Sequence, residues 1–249
     1  VRAEEILANV NEKNVATTWD DAHHYSPAPR HRRRLIMKAL RGIQFSDCLD
    51  AGCAQPFLIE EIAQRFNVKG YGCDISDQVM AAARQSHPAM EFQALDLTAE
   101  RWPGDKQFDL VVCSEVLEHI PEWRLALANL VKMTRKHLLI TVPGGKIRIM
   151  DKMVGHHQHF SGAELREELN KHDFDVQYVR RWGFPMHSMY KSSISMLSPD
   201  KLYDSFAGGK YGTGQKLISN MIYGTFFLND LFGGGEQVLC MSHRKGTSQ

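Results

Sequence analysis

The chain has 249 residues, 43% hydrophobic and 24% charged, enough for one globular domain with a sizeable core. A net charge of +1 supplies no general pull toward nucleic acid or an anionic membrane surface. Cys48, Cys53, Cys73, Cys113 and Cys240 contain no CxxC pair, so they read as buried thiols of a reduced, cytoplasmic protein rather than as a disulfide or zinc framework. Neither a signal peptide nor a membrane span is expected.

Residues 1–15 read as a short polar helix with Ile6, Leu7 and Val10 as its apolar stripe. An aromatic and histidine-rich stretch follows, with His23, His24 and Tyr25, and Pro27 and Pro29 are expected to break any helix there. Arg30, Arg32, Arg33 and Arg34 then precede Leu35, Ile36, Met37 and Leu40. They fit either a solvated helix face or a grip on an anionic substrate. Strands are expected near 46–50, 68–73, 90–95, 108–113 and 137–142, with helices near 56–66, 76–85 and 122–135 between them. Apolar strands separated by helices predict a parallel sheet covered on both faces. Ser161 to Glu164 reads as a capping box opening a helix at 162. Strands near 174–179 and 237–242 close the sheet. The fifty residues between them hold a helix near 214–230 with Leu217, Ile218, Met221, Ile222, Phe226, Phe227 and Leu228. Core packing, a homodimer contact, an acceptor wall or a membrane-surface contact would each suit that helix. Met186, Met189, Tyr190 and Met196 suggest an adaptable pocket nearby.

The stretch Leu49-Asp50-Ala51-Gly52-Cys53-Ala54-Gln55-Pro56 reads as a strand end, a tight turn and a helix start. Small residues there let a ligand approach the backbone. Asp50, Asp74 and Asp96 each sit at the end of an apolar strand. Asp74 lies about twenty residues past the glycine turn, a spacing suited to a carboxylate that accepts from ribose hydroxyls. Asp96 can accept from an adenine amino group, with Ile75 and Leu97 covering the faces of the base.

Those features, with FDLVVCSEVLEHIPE, HFSGAELREELNKHDFDV and SPAPRHRRRLIMKAL, resemble the class I S-adenosylmethionine-dependent methyltransferases, in their small-molecule branch. The resemblance implies an α/β, Rossmann-like seven-stranded sheet of order 3-2-1-4-5-7-6, strand 7 antiparallel, with helices on both faces. It implies a lid and lead-in over 1–42, a cofactor-binding core over 43–182, an insertion over 183–235 shaping the acceptor pocket, and a last strand and tail over 236–249. The implied cofactor contacts are Tyr25, Asp50, Ala51, Gly52, Cys53, Asp74, Ile75, Asp96, Leu97, Ser114 and Glu115. S-adenosylhomocysteine is the implied product. Ala54 and Pro56 stand where the family usually has glycine. Ala54 is expected to be tolerated with a negative φ, and Pro56 at the first helical position.

Methyl transfer chiefly requires donor and acceptor in line. A hydroxyl or ammonium acceptor also needs a base. His119, His156, His157 and His187 are the candidates. The run Gly155-His156-His157-Gln158-His159-Phe160 invites a metal reading, but it resembles a family lead-in, and no metal is expected. The expected function is methylation of a small-molecule acceptor, oxygen before nitrogen, in specialised metabolism. Rivals are a non-methylating reaction such as a rearrangement, and a non-catalytic binding module. A nucleic-acid substrate is not expected.

Overall fold

The computed structural model describes residues 20–194 and 210–246. The helix expected over 1–15, and Met196, lie outside the described residues. Helices α1 (Asp20–Tyr25) and α2 (Pro27–Ala39) lead into β1 (Asp47–Ala51), α3 (Phe57–Phe66), β2 (Lys69–Asp74), α4 (Asp77–Ser86) and β3 (Glu91–Ala94). Then follow β4 (Phe108–Ser114), α5 (Trp123–Met133), β5 (Thr134–Pro143), α6 (Ile149–Met153), α7 (Gly162–Asn170) and β6 (Phe174–Trp182). The chain continues through α8 (Met186–Ile194), α9 (Thr213–Thr225) and β7 (Gln237–Arg244).

One seven-stranded sheet has the order β3-β2-β1-β4-β5-β7-β6, as expected. β7 runs antiparallel to both neighbours, and the remaining pairs are parallel. Strand residues alternate between the two faces. Leu49, Val111, Leu138 and Ile140 join one apolar cluster; Cys48, Leu110, Val112 and Leu139 join the other. All eight are fully buried, because helices cover both faces of the central strands. All five cysteines are free and buried within these layers.

Local chemistry sets the helix starts. Ser76 and Ser161 accept the N–H groups of Val79 and Glu164 at 3.3 and 3.1 Å, capping α4 and α7. The chain does break at Ser26, between α1 and Pro27, but Pro27 and Pro29 also open α2, in the turn where a missing N–H costs no intrahelical bond. Pro56 is the N-cap of α3, so that helix begins one residue later than expected. The helix expected over 214–230 ends at Thr225 and tightens into a 3-10 turn over Phe226–Asp230.

Neither reading of the arginines survives. Arg32 pairs with Glu115 at 2.9 Å, Arg33 with Glu61 at 3.3 Å and Arg34 with Asp230 at 2.7 Å. Arg30 donates to Asn220 at 2.8 Å and lies over the Tyr223 ring. They tie α2 to the end of β4, to α3 and to the segment around α9. Periodicity misled on α9 as core: it buries none of its residues, and Leu217, Ile218 and Met221 are exposed. Phe226, just beyond it, is fully buried against His31 and Tyr190. Among the described residues, no helix is long and apolar enough to cross a membrane.

Candidate functional site

The chain winds outward from β1 to β3 and then returns to the other side of β1 as β4. That reversal opens a crevice at the carboxyl ends of β1 and β4, where sheets of this kind bind ligands. Gly52 follows β1 with φ +77°, and a Cβ there would lie 2.4 Å from Val116 Cγ2. Only glycine fits, because the turn needs a left-handed backbone and presses against the loop after β4. Gly52 and Cys53 both donate their N–H to the Cys73 carbonyl, at 2.8 and 2.9 Å. Ala51 and Cys53 are buried in the core, so their side chains belong to packing.

The expectation of a negative φ at Ala54 is wrong: its φ is +42°. Alanine there takes the left-handed conformation usually left to glycine, at a cost of about 1 kcal/mol. A hydrogen bond offsets it. Ala54 donates its N–H to Asp74 Oδ2 at 3.0 Å, while Ser76 donates to Oδ1 at 3.1 Å. The Asp74 carboxylate therefore leans back over the β1 turn. One strand further out, Asp96 Oδ1 accepts from the Thr98 N–H and hydroxyl, each at 2.8 Å. Leu97 is buried, but Ile75 is 74% exposed beside Asp74. An aliphatic side chain held out at a strand end is an open face for a flat apolar group.

Asp50 does not leave the strand; it lies inside β1 and is 2% exposed. Burial, helped by the charge of Asp74, pushes its carboxyl up to about 7. The native chain thus holds a proton that the unfolded chain releases. That contributes stability present below about pH 4 and lost as the pH rises through about 7. The unfolding free energy of wild type relative to Asp50→Asn should fall by roughly 4 kcal/mol from pH 4 to pH 8. Urea titrations of the ligand-free chain measure this; a flat difference would mean that Asp50 is ionised in the fold.

Ser114 ends β4 and Glu115 follows it. Ser114 Oγ lies 2.9 Å from Thr141 Oγ1, which donates to Glu115 Oε1 at 3.2 Å. Glu115 takes φ +58°, and its other oxygen pairs with Arg32 at 2.9 Å. Tyr25 ends α1 and stacks with Tyr211, with Lys216 over its ring at 4.6 Å. The leading segment is thereby joined to the segment that precedes β7.

Of the four candidate histidines, the structure brings His119 and His156 together and packs His187 elsewhere. His119, in the 3-10 turn after β4, is exposed and lies edge-on to His156, ring centroids 4.8 Å apart. Burial lowers both, His156 to about 4, with His119 adding to the shift there. His157 is exposed, and its backbone N–H donates to the Glu118 carbonyl at 2.8 Å. His187 is 6% exposed between Trp182 and Phe226, and burial lowers it to about 3. It is a core imidazole, set among aromatic rings rather than on an open pocket wall.

Glu118 is a residue that the sequence does not single out. It is fully buried, and burial with the nearby Glu115 charge drives its carboxyl well above the usual range. Asp151, also unforeseen, is buried against Lys191 at 2.9 Å. Glu118, His119 and His156 come together, as do Asp151, His156 and His159; in each set the ligand atoms lie within 4.8 Å of one another.

This strand order, glycine turn and row of carboxylates define a class of nucleotide-cofactor α/β domain. Residues 22–179 match the family model described as methyltransferase domain, and the chain belongs to that family. It is 32% identical over 117 residues to the ubiquinone biosynthesis O-methyltransferase of Shewanella pealeana, 44% of this chain and 49% of that protein. It is 30% identical over 138 residues to the protein of the same name from Idiomarina loihiensis, 52% of this chain and 53% of that one. The chain spans about half the length of the curated relatives it matches. Among solved structures it is similar to the N-methyltransferase NodS of Bradyrhizobium japonicum in complex with S-adenosylhomocysteine. That likeness has TM-score 0.58 and 16% identity over 95% of this chain and 97% of NodS. It is also similar to the [4+2]-cyclase SpnF, with TM-score 0.62 and 15% identity over 97% and 92% of the two chains. At such identities the likeness is one of fold.

Proposed function

We propose that the chain binds S-adenosylmethionine at the carboxyl ends of β1 to β4 and transfers its methyl group to a small-molecule acceptor, oxygen before nitrogen. The observation that carries this is the pairing of Asp74 with exposed Ile75, beside Asp96 with Leu97 just past the end of the next strand. A carboxylate accepts both hydroxyls of a ribose; the next accepts the amino group of adenine. Ile75 and Leu97 suit the two faces of the base. Gly52 keeps the turn small, and Ser114 and Glu115 line the β4 side. The cofactor, when bound, supplies a methyl group on a cationic sulfur, already an electrophile.

The remaining work is positioning, which can contribute about 7–11 kcal/mol to lowering a barrier. The 183–235 segment and the leading helices suit the acceptor pocket, with Tyr25 in the cover. The oxygen preference draws support from the names of the curated relatives. His119 is the best-placed base of the four: it is exposed in the turn after β4, and the partial desolvation of its ring favours the neutral form. Free thiols suit a reduced, cytoplasmic setting, and the exposed face of α9 is where a homodimer would form.

A phenolic acceptor incubated with chain and cofactor should gain one CH₂ by mass, with S-adenosylhomocysteine released. A product of unchanged mass would support a rearrangement, for which SpnF shows only that the fold does not choose the reaction. No release with any acceptor would leave a binding module. Unchanged turnover in each of the four histidine variants would remove the histidine base.

A further inference from the structure

We propose that two copies of the chain pair across α9, the outward faces of the two helices crossing antiparallel about a two-fold axis near Gly224. Helical spacing divides α9 and the 3-10 turn after it into two sides. Tyr223 and Asp230 face the body of the chain, against the Arg30 and Arg34 guanidinium groups, and Phe226 is fully buried. Leu217, Ile218, Met221, Leu228 and Leu231 face outward and are 44–74% exposed. Phe232 carries this face on to Phe184, ring centroids 6.1 Å apart, and both are half-exposed. No charged residue lies between Lys216 and Asp230.

Size, a glycine and charge all favour a second copy as the occupant. Such exposure on these large side chains comes to roughly 850 Å² per copy. Each partner in a stable interface gives about 800 Å², whereas the largest apolar patch of an ordinary monomer is about 300–600 Å². Gly224 lies inside α9 on the outward side, and a Cβ there would meet nothing within 4 Å. Neither a left-handed turn nor a close contact within the chain calls for glycine there, where alanine would hold the helix better. A partner helix crossing at that point does, because the missing Cβ lets two backbones approach closely.

A lipid surface is the weaker match. Helices that lie on anionic bilayers carry free Lys and Arg beside the apolar face. Here the flanking cations are engaged within the chain: Lys216 with Asp21 at 3.5 Å, Arg34 with Asp230 at 2.7 Å, and Arg30 with Asn220 at 2.8 Å. A neutral, apolar face bordered by satisfied charges suits a copy of itself, the self-complementary arrangement of a two-fold dimer. The same bonds fasten the leading helices to α9. On the function proposed above, those helices cover the acceptor pocket, so a partner on α9 braces the cover from outside; the pairing itself does not depend on that reading.

Sedimentation equilibrium of the full chain should give a dimer at micromolar concentration. Met221→Glu should weaken it roughly 100-fold or more, because a carboxylate would be buried unpaired at the seam. Leu125→Glu, which changes an exposed leucine on α5, should leave the dimer as it is. Circular dichroism and thermal melting show whether each variant is folded. The five native cysteines are buried, so Gly224→Cys adds an accessible thiol, and mild oxidation should link two copies through it. Should Met221→Glu fail to fold, that crosslink decides: a chain that stays single overturns the pairing. A monomeric wild type also overturns it, as does a Met221→Glu dimer as tight as that of wild type. A monomer that floats with phosphatidylglycerol vesicles, and loses them in Met221→Glu, would give the face to lipid instead. S-adenosylhomocysteine binding, measured on the same samples, reports on the cofactor reading alone, since it can persist in a monomer or fail in a dimer.

Discussion

Asp74→Ala is expected to weaken S-adenosylhomocysteine binding by at least roughly 100-fold. A hydrogen bond to a charged group contributes about 1.5–3 kcal/mol, and a ribose diol would make two to this carboxylate. The variant loses a second function as well. Asp74 accepts the N–H of Ala54 at 3.0 Å and that of Ser76 at 3.1 Å, so the carboxylate also holds the β1 turn over the crevice. Without it, Ala54 keeps a left-handed backbone with nothing to offset the cost. Asp74→Asn separates the roles: an amide keeps one acceptor but sets an N–H against a backbone N–H. It should bind weakly and melt between wild type and Asp74→Ala. Calorimetry and thermal melting on the same samples check both. Near-wild-type affinity in Asp74→Ala would remove the proposed adenosine site.

The largest effect on stability is expected far from the cofactor. Gly235 has φ +115°, and a Cβ there would sit 2.2 Å from the Trp182 carbonyl oxygen and 2.7 Å from the Phe184 nitrogen. Backbone cannot give way as a side chain can, and Trp182 pairs with Gln237 where β6 meets β7. Gly235→Ala should cost about 3 kcal/mol or more, lowering the urea midpoint by roughly 1–2 M. Gly234→Ala is the control: its φ is +109°, but nothing lies within 4 Å of a Cβ. It carries the backbone strain without the collision and should cost clearly less. Equal losses would mean that the close approach to Trp182 matters little.

The fold was legible because its signals are local and repeated. Val111, Val112 and Leu139 lie in apolar runs too short for helices, and the carboxylates at 74 and 96 punctuate strand ends. Such patterns fix strand type, covering layers and the edge where ligands gather. Ala54 marks the limit. Its φ depends on the carboxylate of Asp74, twenty positions away, which no local preference encodes. α9 is a different limit: helical spacing of Leu217, Ile218 and Met221 is real, but periodicity cannot say whether a face is covered.

The sequence by itself determined the sheet, the glycine turn and the row of acidic strand ends, because each follows from neighbours along the chain. Only the tertiary structure decided which charges face which. It drew Arg32 onto Glu115, packed His187 among aromatic rings, and buried Glu118 beside His119 and His156. Those outcomes turn on desolvation and on contacts between residues dozens of positions apart, and a side chain's protonation and partners are set by that surrounding space rather than by its place in the chain.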